Sequence, residues 1–560
     1  MECKADDDDV VRYPGLYQTC FRCPAIDNHA HNVLRDIYSR QGGKLNFLKD
    51  RQIPLESIFT EAEGEAFLSN HSTSSLAAIS SVEKLSKLYN CSNENGWKSV
   101  SEKIKSLDLI SRCKKCFEKS GIYTILFDDL LSGVEDSCHR FNWHARFTVK
   151  PPKRIVRLET LFQDRLQTVI SIEAEKKGNP RWIEVLMRVA DFLENQVFEL
   201  MSDPDVVAFK SIIAYRSGLD VTVTNSPIGA MEDLKKLMDR YNEKKDLDSI
   251  RLDLETKDLN DYLLGCALET LKEFKNCVKR PLPVQFHVGL GDSSVKLSKG
   301  SPSNLQPLIE SFPEIPIVLL HASYPFTREA SFLCSVYENV YLDFGEVSIL
   351  LSTSGLEKII QQCLEVCPTT KLLWSTDGHF HPETFYLATL QSRRALYRVF
   401  MKLIQRDDLT EKQSIEIVQR LLFLNSNDLY SLGFDKSVVE LSNYDQSVGI
   451  IGTFNDNIST RGRNLNNSNN YQNSKNSDGS QNLGNFGTKK DNKNNNTFKN
   501  HRRKFKNYTG NKGNGDQTNK SFNVSQSSST RSGNSNGNSR NRWASKSKAN
   551  NKSEDEVIFI

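Results

Sequence analysis

Long apolar runs and a dense cysteine framework are both missing from this 560-residue sequence. No run of about 18 apolar residues is present, which is the length that a membrane-spanning helix needs. Residues 1–9 (MECKADDDD) contain no apolar signal region. The 12 cysteines are scattered along the chain, which favours reduced thiols. Two C-x-x-C pairs, at 20–23 and 113–116, lie about ninety residues apart, too far for an ordinary zinc ribbon. We therefore expect a cytoplasmic protein without a membrane partner.

Aliphatic residues are scarce in residues 441–560, where Asn, Ser, Gly and basic residues predominate. Residues 455–560 carry 19 Lys and Arg against 7 Asp and Glu, whereas the rest of the chain carries 54 against 63. Such a segment cannot bury enough apolar surface to offset the entropy of ordering, so we predict a disordered basic tail. Residues 501–508 (HRRKFKNY) interleave cations with aromatics, which predicts weak, nonspecific RNA binding. A solvated tail that binds nothing is the simpler alternative.

Histidine is also scarce, with ten in the chain, and its distribution is uneven. In a strand, residues i and i+2 share a face, so His29 and His31 should point to one side. Neutral imidazoles are common metal ligands, and two further apolar runs end in Lys210 and Asp377. Any one histidine could be an ordinary core residue, but together they predict a metal site. The histidines at or just after apolar runs are His29, His31, His287, His321, His379 and His381.

Apolar, β-rich runs alternate with amphipathic helical patterns such as residues 182–194. Eight strands alternating with helices predict a (β/α)8 barrel, an α/β fold with its active site at the carboxyl ends of the strands. We place an N-terminal extension at 1–20, the barrel at 21–440, and a helical insertion after strand 1 at about 33–120. The predicted strands are 25–31, 123–128, 154–159, 206–213, 284–288, 317–322, 340–344 and 371–377.

Five motifs, in this order, carry a resemblance to a known family: DNHAH (27–31), VAFKSIIAYR (207–216), QFHVGLGD (285–292), LHASYP (320–325) and WSTDGHFHPE (374–383). They resemble the amidohydrolase-2 group of the amidohydrolase superfamily, over about residues 20–435. Within that group the chain resembles the N-terminal domain of fungal FluG-type and plant nodulin-type proteins, in which a glutamine synthetase-like domain follows the barrel. Here the Asn-rich tail stands in that place, so nothing is carried over from the fused domain.

The resemblance implies one divalent metal, usually zinc, or two. Its ligands would be His29, His31, His287 and Asp377. His321 would polarise the substrate, or become a ligand if two metals bind. Lys210 would be carboxylated and bridge two metals, or remain a cation that anchors a substrate carboxylate; we favour the anchor slightly.

The expected chemistry is attack by metal-activated water, with Asp377 and His321 as catalytic residues. Asp377 would accept the proton of the water and pass it to the leaving nitrogen. Six residues are candidates for binding a small polar substrate, with an ion-pair network at the barrel mouth as the alternative role for the charged ones. They are Arg157, Glu159, Lys210, Tyr215, Arg216 and His379.

Three functions remain open from the sequence. The first is a metal-dependent hydrolase of a C–N bond, of the amide or γ-glutamyl type. The second is a metal-dependent decarboxylase, which occurs in the same group with the same ligands. The third is a noncatalytic barrel with an RNA- or partner-binding tail. The sequence leaves the substrate and the oligomeric state open, with a homo-oligomer as one option.

Overall fold

The computed structural model describes residues 12–35, 53–62, 71–129, 137–176, 178–223, 227–278, 280 and 282–443. The chain divides into two units, residues 1–463 and 464–560, and every described residue lies in the first. The predicted tail lies outside the described residues except for 441–443, so its disorder and its RNA binding stay predictions.

Eight parallel strands form one sheet in the order β1 to β8, each strand paired with the next. The first strand and the residue after it meet the segment that follows the last strand through backbone hydrogen bonds, including Asp377 N to His29 O at 3.0 Å and His31 N to Gly378 O at 2.7 Å. The predicted (β/α)8 barrel is confirmed. The strands are β1 (Ala25–Ala30), β2 (Ile122–Asp128), β3 (Lys153–Arg157), β4 (Val206–Ser211), β5 (Val284–Phe286), β6 (Ile317–Leu319), β7 (Val340–Asp343) and β8 (Leu372–Leu373).

Helices surround the strands, and several begin at a capping side chain that accepts a hydrogen bond from the first turn. Ser75, Asp108, Ser352 and Thr410 act in this way. The α-helices are α1 (Pro14–Arg22), α2 (Leu76–Tyr89), α3 (Trp97–Lys105), α4 (Leu109–Phe117), α5 (Leu158–Ala174), α6 (Trp182–Met201), α7 (Ile228–Lys244), α8 (Lys257–Val278), α9 (Gln306–Ser311), α10 (Thr327–Val336), α11 (Val347–Leu350), α12 (Thr353–Val366), α13 (Pro382–Gln405), α14 (Glu411–Gln419) and α15 (Asn425–Leu429).

The predicted insertion after β1 contains α2, α3 and α4, together with a 3-10 helix at Leu55–Phe59. These elements pack around a separate apolar cluster that reaches Leu387 of α13. Arg112 of α4 also forms a buried, two-pronged ion pair with Glu383 of α13, at 2.9 and 2.7 Å. The insertion is therefore attached to the helix that follows β8.

A second apolar cluster fills the barrel interior. Its members Leu126, Ile155 and Ala208 precede Asp128, Arg157 and Lys210 by two residues. Because alternate strand residues share a face, the cluster lies one layer nearer the amino ends of the strands than the polar residues. Leu429 and Tyr430, at the end of α15, complete this layer.

Several strands are shorter than predicted. The eighth ends at Leu373 rather than 377, and the sixth ends at Leu319 rather than 322. The chain leaves the extended conformation soon afterwards, because His321, Glu346 and Asp377 have positive φ angles of 62°, 57° and 50°. Such angles are rare outside glycine and concentrate at functional sites.

Within the described part of the chain, no helix is long and apolar enough to cross a membrane. The eleven cysteines in that part form no disulfide bonds with one another.

Candidate metal centre

The first strand brings two imidazoles to the barrel mouth. His29 is fully buried near the end of β1, and His31 follows the strand. The Nδ1 atom of His29 lies 2.7 Å from the side-chain oxygen of Gln285. An amide oxygen only accepts, so Nδ1 carries the proton and the lone pair of Nε2 faces the mouth.

Asp377, which follows β8, lies beside three imidazoles. Its Oδ1 is 3.5 Å from His29 Nε2 and 3.4 Å from His31 Nε2, and its Oδ2 is 3.5 Å from His321 Nδ1. Charged hydrogen bonds would bring such atoms to about 2.7–2.9 Å. Two ligands of one tetrahedral ion with bonds of about 2.0–2.1 Å lie about 3.3 Å apart, so the observed spacing suits a shared ion.

Two groups of side chains could hold a metal ion, because their ligand atoms lie within 4.8 Å of one another. One consists of His29, His31 and Asp128, and the other of His29, His321 and Asp377. The buried Oδ1 atoms of both aspartates have no hydrogen-bond partner. An unsatisfied buried carboxylate oxygen is costly unless a cation or water meets it. The residues therefore fit a divalent metal.

The protonation states agree with this donor set. Burial lowers the pKa of His31 to about 3, and burial together with Lys210 lowers the pKa of His29 well below its usual range. Burial likewise lowers the pKa of His321. Neutral imidazoles keep the lone pairs that a metal needs. Burial raises the pKa of Asp377 to about 6, against the opposing effects of His379 and Lys210.

The predicted ligand His287 lies outside both groups. Its Nδ1 is 2.9 Å from Nε2 of His321, and its buried Nε2 has no hydrogen-bond partner. Its ring lies 4.3 Å from that of Tyr215. A Cβ at Gly291 would come within 2.6 Å of the Tyr215 hydroxyl and 2.9 Å of His287 Nε2, so glycine leaves both groups accessible. The role of His287 as a ligand stays a prediction.

Lys210 lies close to a nitrogen atom that is a candidate metal ligand. It is buried on β4, and its Nζ is 3.2 Å from His29 Nε2. Burial lowers the pKa of Lys210 to about 8, although Asp128 and Asp377 oppose this effect. Both predicted roles of Lys210 are compatible with this position.

The other predicted substrate-binding residues differ in how many hydrogen bonds and ion pairs they already make within the protein. Arg157 pairs with Asp128 at 2.5 Å. Glu159 belongs to α5 rather than to β3, and it accepts hydrogen bonds from Ser211 Oγ (2.6 Å) and Ile212 N (3.0 Å). Glu159 therefore holds the end of β4 in place.

Arg216 and His379 are less constrained. The side chain of Arg216 makes no hydrogen bond or ion pair with any residue that the structure describes, and burial lowers its pKa. His379 approaches Asp377 O at 2.8 Å through Nδ1, and its Nε2 lies 3.9 Å from Glu61 of the insertion. Arg216 is the cation with the most freedom to meet a substrate anion.

Three residues at the site were not predicted. Asp128 ends the second apolar run as Asp377 ends the eighth, so the same sequence signal could have identified it. Glu346 follows β7, and its Oε2 lies 3.1 Å from His321 Nδ1 without hydrogen-bond alignment. Gln285 precedes His287 by two residues. Neither of these two carries a distinguishing local pattern.

Comparison with known proteins agrees with this geometry. Residues 222–430 match the family model described as amidohydrolase. The barrel is of the amidohydrolase type. Over 438 residues the chain is 39% identical to Protein fluG of Emericella nidulans. The matched region makes up 77% of this chain and 48% of the fungal protein. The chain therefore spans about half the length of that relative.

Comparison with solved structures found, among others, two chains of similar length to the barrel. A Lactobacillus casei ATCC 334 protein, provisionally named a metal-dependent hydrolase, is 23% identical, with a TM-score of 0.59 over 74% of this chain and 97% of its own. A uronate isomerase from Bacillus halodurans C-125 is 11% identical, with a TM-score of 0.47 over 75% of this chain and 96% of its own. At these identities the first shows the fold, and the second adds no argument about function.

Proposed function

We propose that this protein is a metal-dependent hydrolase that acts on a C–N bond, of the amide or γ-glutamyl type, in a small polar substrate. The observation that supports this most directly is the meeting of Asp377 with the neutral imidazoles of His29, His31 and His321 at 3.4–3.5 Å. A divalent ion held there, which we propose to be Zn²⁺, would act as a Lewis acid and lower the pKa of a water molecule to about 7.

Asp377 has the properties of the proton carrier in this reaction. Its Oδ1 lies at the imidazole nitrogens and has no hydrogen-bond partner. In the metal-free protein, burial raises its pKa to about 6, and a bound divalent cation would lower that pKa and keep the carboxylate ionised, so that it can accept a proton. The backbone holds the carboxylate in place, because Asp377 N donates to His29 O and the preceding Thr376 N donates to Asp27 Oδ1 at 2.8 Å. The carboxylate can therefore take a proton and return it to the leaving nitrogen.

Arg216 supports a substrate that carries an anionic group. Its guanidinium makes no hydrogen bond or ion pair within the described residues. Arg216 follows the 3-10 turn Ile213–Tyr215, in which the Tyr215 ring contacts His287. Arg216→Leu should raise KM for a carboxylate substrate by about 10- to 150-fold, from the loss of about 1.5–3 kcal/mol for a charged hydrogen bond. An analogue with its carboxylate amidated should lose much less. Arg328→Leu, which removes an exposed arginine paired with Glu365, is the matched control.

The decisive experiment combines metal analysis with a substrate screen. Purified protein is analysed for Zn, Mn, Fe and Ni, and is then incubated with γ-glutamyl compounds, N-acyl amino acids and aromatic acids in H₂¹⁸O. Hydrolysis releases an amine and places one ¹⁸O in the new acid. Release of CO₂ from an aromatic acid would instead identify a decarboxylase. A protein that neither contains nor gains a stoichiometric metal would refute the metalloenzyme proposal.

A further inference from the structure

Gln285 is buried in β5, beneath the candidate metal centre, and every polar atom of its side chain has a partner. Its Oε1 lies 2.7 Å from His29 Nδ1. Its Nε2 donates to the backbone oxygen of Asn28 and to the hydroxyl of Tyr430, both at 2.8 Å. A backbone oxygen only accepts, so the amide cannot be turned around without losing this bond. The oxygen must face His29.

Tyr430 belongs to the C-terminal segment that follows α15, outside the eight strand–helix units. Its side chain is fully buried in the apolar layer inside the barrel. Its hydroxyl donates to Asn28 Oδ1 at 3.1 Å and accepts from Gln285 Nε2. Tyr430 therefore orients the amide from the side opposite to His29.

Hydrogen bonds fix the orientation of the Asn28 side-chain amide as well. Its Nδ2 donates to Asp343 Oδ1 at 2.8 Å and to Trp374 O at 2.7 Å. Its side-chain oxygen must then face Tyr430. The chain of donors runs in one direction, from Gln285 to Tyr430 to Asn28 to Asp343, and a reversed order would leave buried groups unsatisfied.

We propose that Gln285, oriented by Tyr430, is a positioning residue that holds His29 in the tautomer whose Nε2 lone pair faces the metal centre. The partner of a ligand imidazole sets both its tautomer and its ring orientation. The C-terminal segment thus acts on the metal centre through two hydrogen bonds. This inference rests on the proposed function in one respect, because the metal ion of the proposed enzyme would bind at this centre.

The first test uses metal affinity, measured by competition between the protein and a chelator for Zn²⁺ and Co²⁺. Gln285→Leu should weaken binding by about 10- to 100-fold, the usual effect of losing such a partner. Tyr430→Phe should weaken it less, and Gln285→Glu, which keeps an acceptor for Nδ1–H but loses the donor to Asn28 O, should also weaken it less than Gln285→Leu does. Gln391→Leu and Tyr89→Phe are matched controls, because they remove buried hydrogen bonds to Lys84 and Glu383.

The controls separate positioning from a general loss of stability. All five substitutions remove at least one hydrogen bond and should lower the Tm, but only those at Gln285 and Tyr430 should change metal affinity. If Gln285→Leu binds the ions as tightly as Gln391→Leu does, the proposal is overturned.

A second measurement does not depend on a metal or on turnover. The ¹⁵N shifts of His29 in metal-free, histidine-labelled protein report which ring nitrogen carries the proton. The ammonium of Lys210, 3.2 Å from His29 Nε2, favours the same form, so the comparison is made with Lys210→Met as the background. We expect a single Nδ1–H form in the wild type and in Lys210→Met, and a mixture in Lys210→Met/Gln285→Leu. A mixture in Lys210→Met, or the same single form in Lys210→Met/Gln285→Leu, would contradict the proposal. If the wild type binds no metal, the proposed function fails while this spectrum still decides the role of Gln285.

Discussion

At the scale of single residues, the centre depends on Asp377, whose carboxylate meets imidazoles from β1 and from the turn after β6. Asp377→Asn preserves the shape of the side chain but cannot accept a proton. We expect a loss of turnover of at least about 10²–10⁴-fold, the usual contribution of an acid–base residue, with the Tm little changed. Steady-state rates should be measured on samples of known metal content. Wild-type turnover would remove Asp377 from the proton-transfer role.

The position of Lys210, 3.2 Å from His29 Nε2, is compatible with both predicted roles, and the two differ in their effect on metal content. A carboxylated lysine would share two metals, so Lys210→Met should lower the metal content and abolish any benefit of bicarbonate during reconstitution. Metal analysis of the purified variant checks this outcome. Lys371→Met is the control, since Lys371 donates only to the backbone oxygens of Cys334 and Tyr337. Unchanged metal content with a higher KM would identify Lys210 as a substrate anchor.

His144 supplies a pH dependence of stability that is separate from the metal centre. It is fully buried, its Nε2 accepts from Val33 N at 3.2 Å, and burial lowers its pKa to about 3. The unfolded histidine has a pKa of about 6.5 and binds a proton first, so stability is lost as the pH falls from about 6.5 towards 3.

Between pH 7 and pH 5 this one group should lower the free energy of unfolding by about 2 kcal/mol. His144→Gln cannot titrate and should show a shallower loss over the same range, by about that amount. Urea unfolding of both proteins at the two pH values measures the difference. Parallel stability curves for the wild type and the variant would show that His144 does not contribute.

At the scale of secondary-structure elements, the insertion is held to the barrel by the ion pair between Arg112 of α4 and Glu383 of α13. Tyr89 of α2 donates to the same carboxylate at 2.5 Å. His381, the residue just before α13, also contacts the insertion, because its Nε2 lies 3.1 Å from the backbone oxygen of Pro54. The start of α13, the insertion helices and the segment 53–62 therefore form one connected unit beside the centre.

Removing one member of this pair leaves a buried charge without its partner. Arg112→Met should cost about 3–5 kcal/mol of stability, whereas the double change Arg112→Met/Glu383→Leu should cost less, because an apolar replacement of a whole buried pair is often tolerated. Thermal and urea unfolding of the single and double variants measure the difference. If the single and double variants lose the same free energy of unfolding, the unpaired charge of Glu383 does not explain the loss.

At the scale of the whole molecule, the described residues up to 443 contain all eight strands and every residue assigned to the centre. We predict that a chain ending at residue 455 keeps its Tm, metal content and turnover. Limited proteolysis of the full chain should give a stable fragment ending near residues 435–455. Aggregation or loss of metal in the shortened chain would place the domain boundary further towards the C-terminus.

The same pair of chains tests the predicted RNA binding of the tail. The full chain should bind RNA with an affinity that falls steeply as the salt concentration rises, because phosphate contacts release counterions. The shortened chain should not bind under the same conditions. Equal binding by both chains, or none at low salt, would leave the solvated tail as the interpretation.

The barrel and part of its centre could be predicted from the sequence because they depend on local patterns. Alternating apolar runs and amphipathic helices are short-range features, and the i, i+2 spacing alone places His29 and His31 on one face of a strand. An aspartate at the end of the eighth run similarly indicated Asp377. Where a run continued into the mouth, as at 371–377, the strand was predicted too long, since the positive φ of Asp377 has no signature in composition.

Only the tertiary structure decided how the polar side chains pair. The partners Gln285 and His29 are separated by 256 residues, and Tyr430 and Asn28 by 402. Their contact depends on the register of all the intervening strands and on the position of the C-terminal segment. The sequence determined which groups could bind a metal. The folded barrel determined which of them meet, and which side of each imidazole faces the centre, because buried donors and acceptors can be satisfied in only one arrangement.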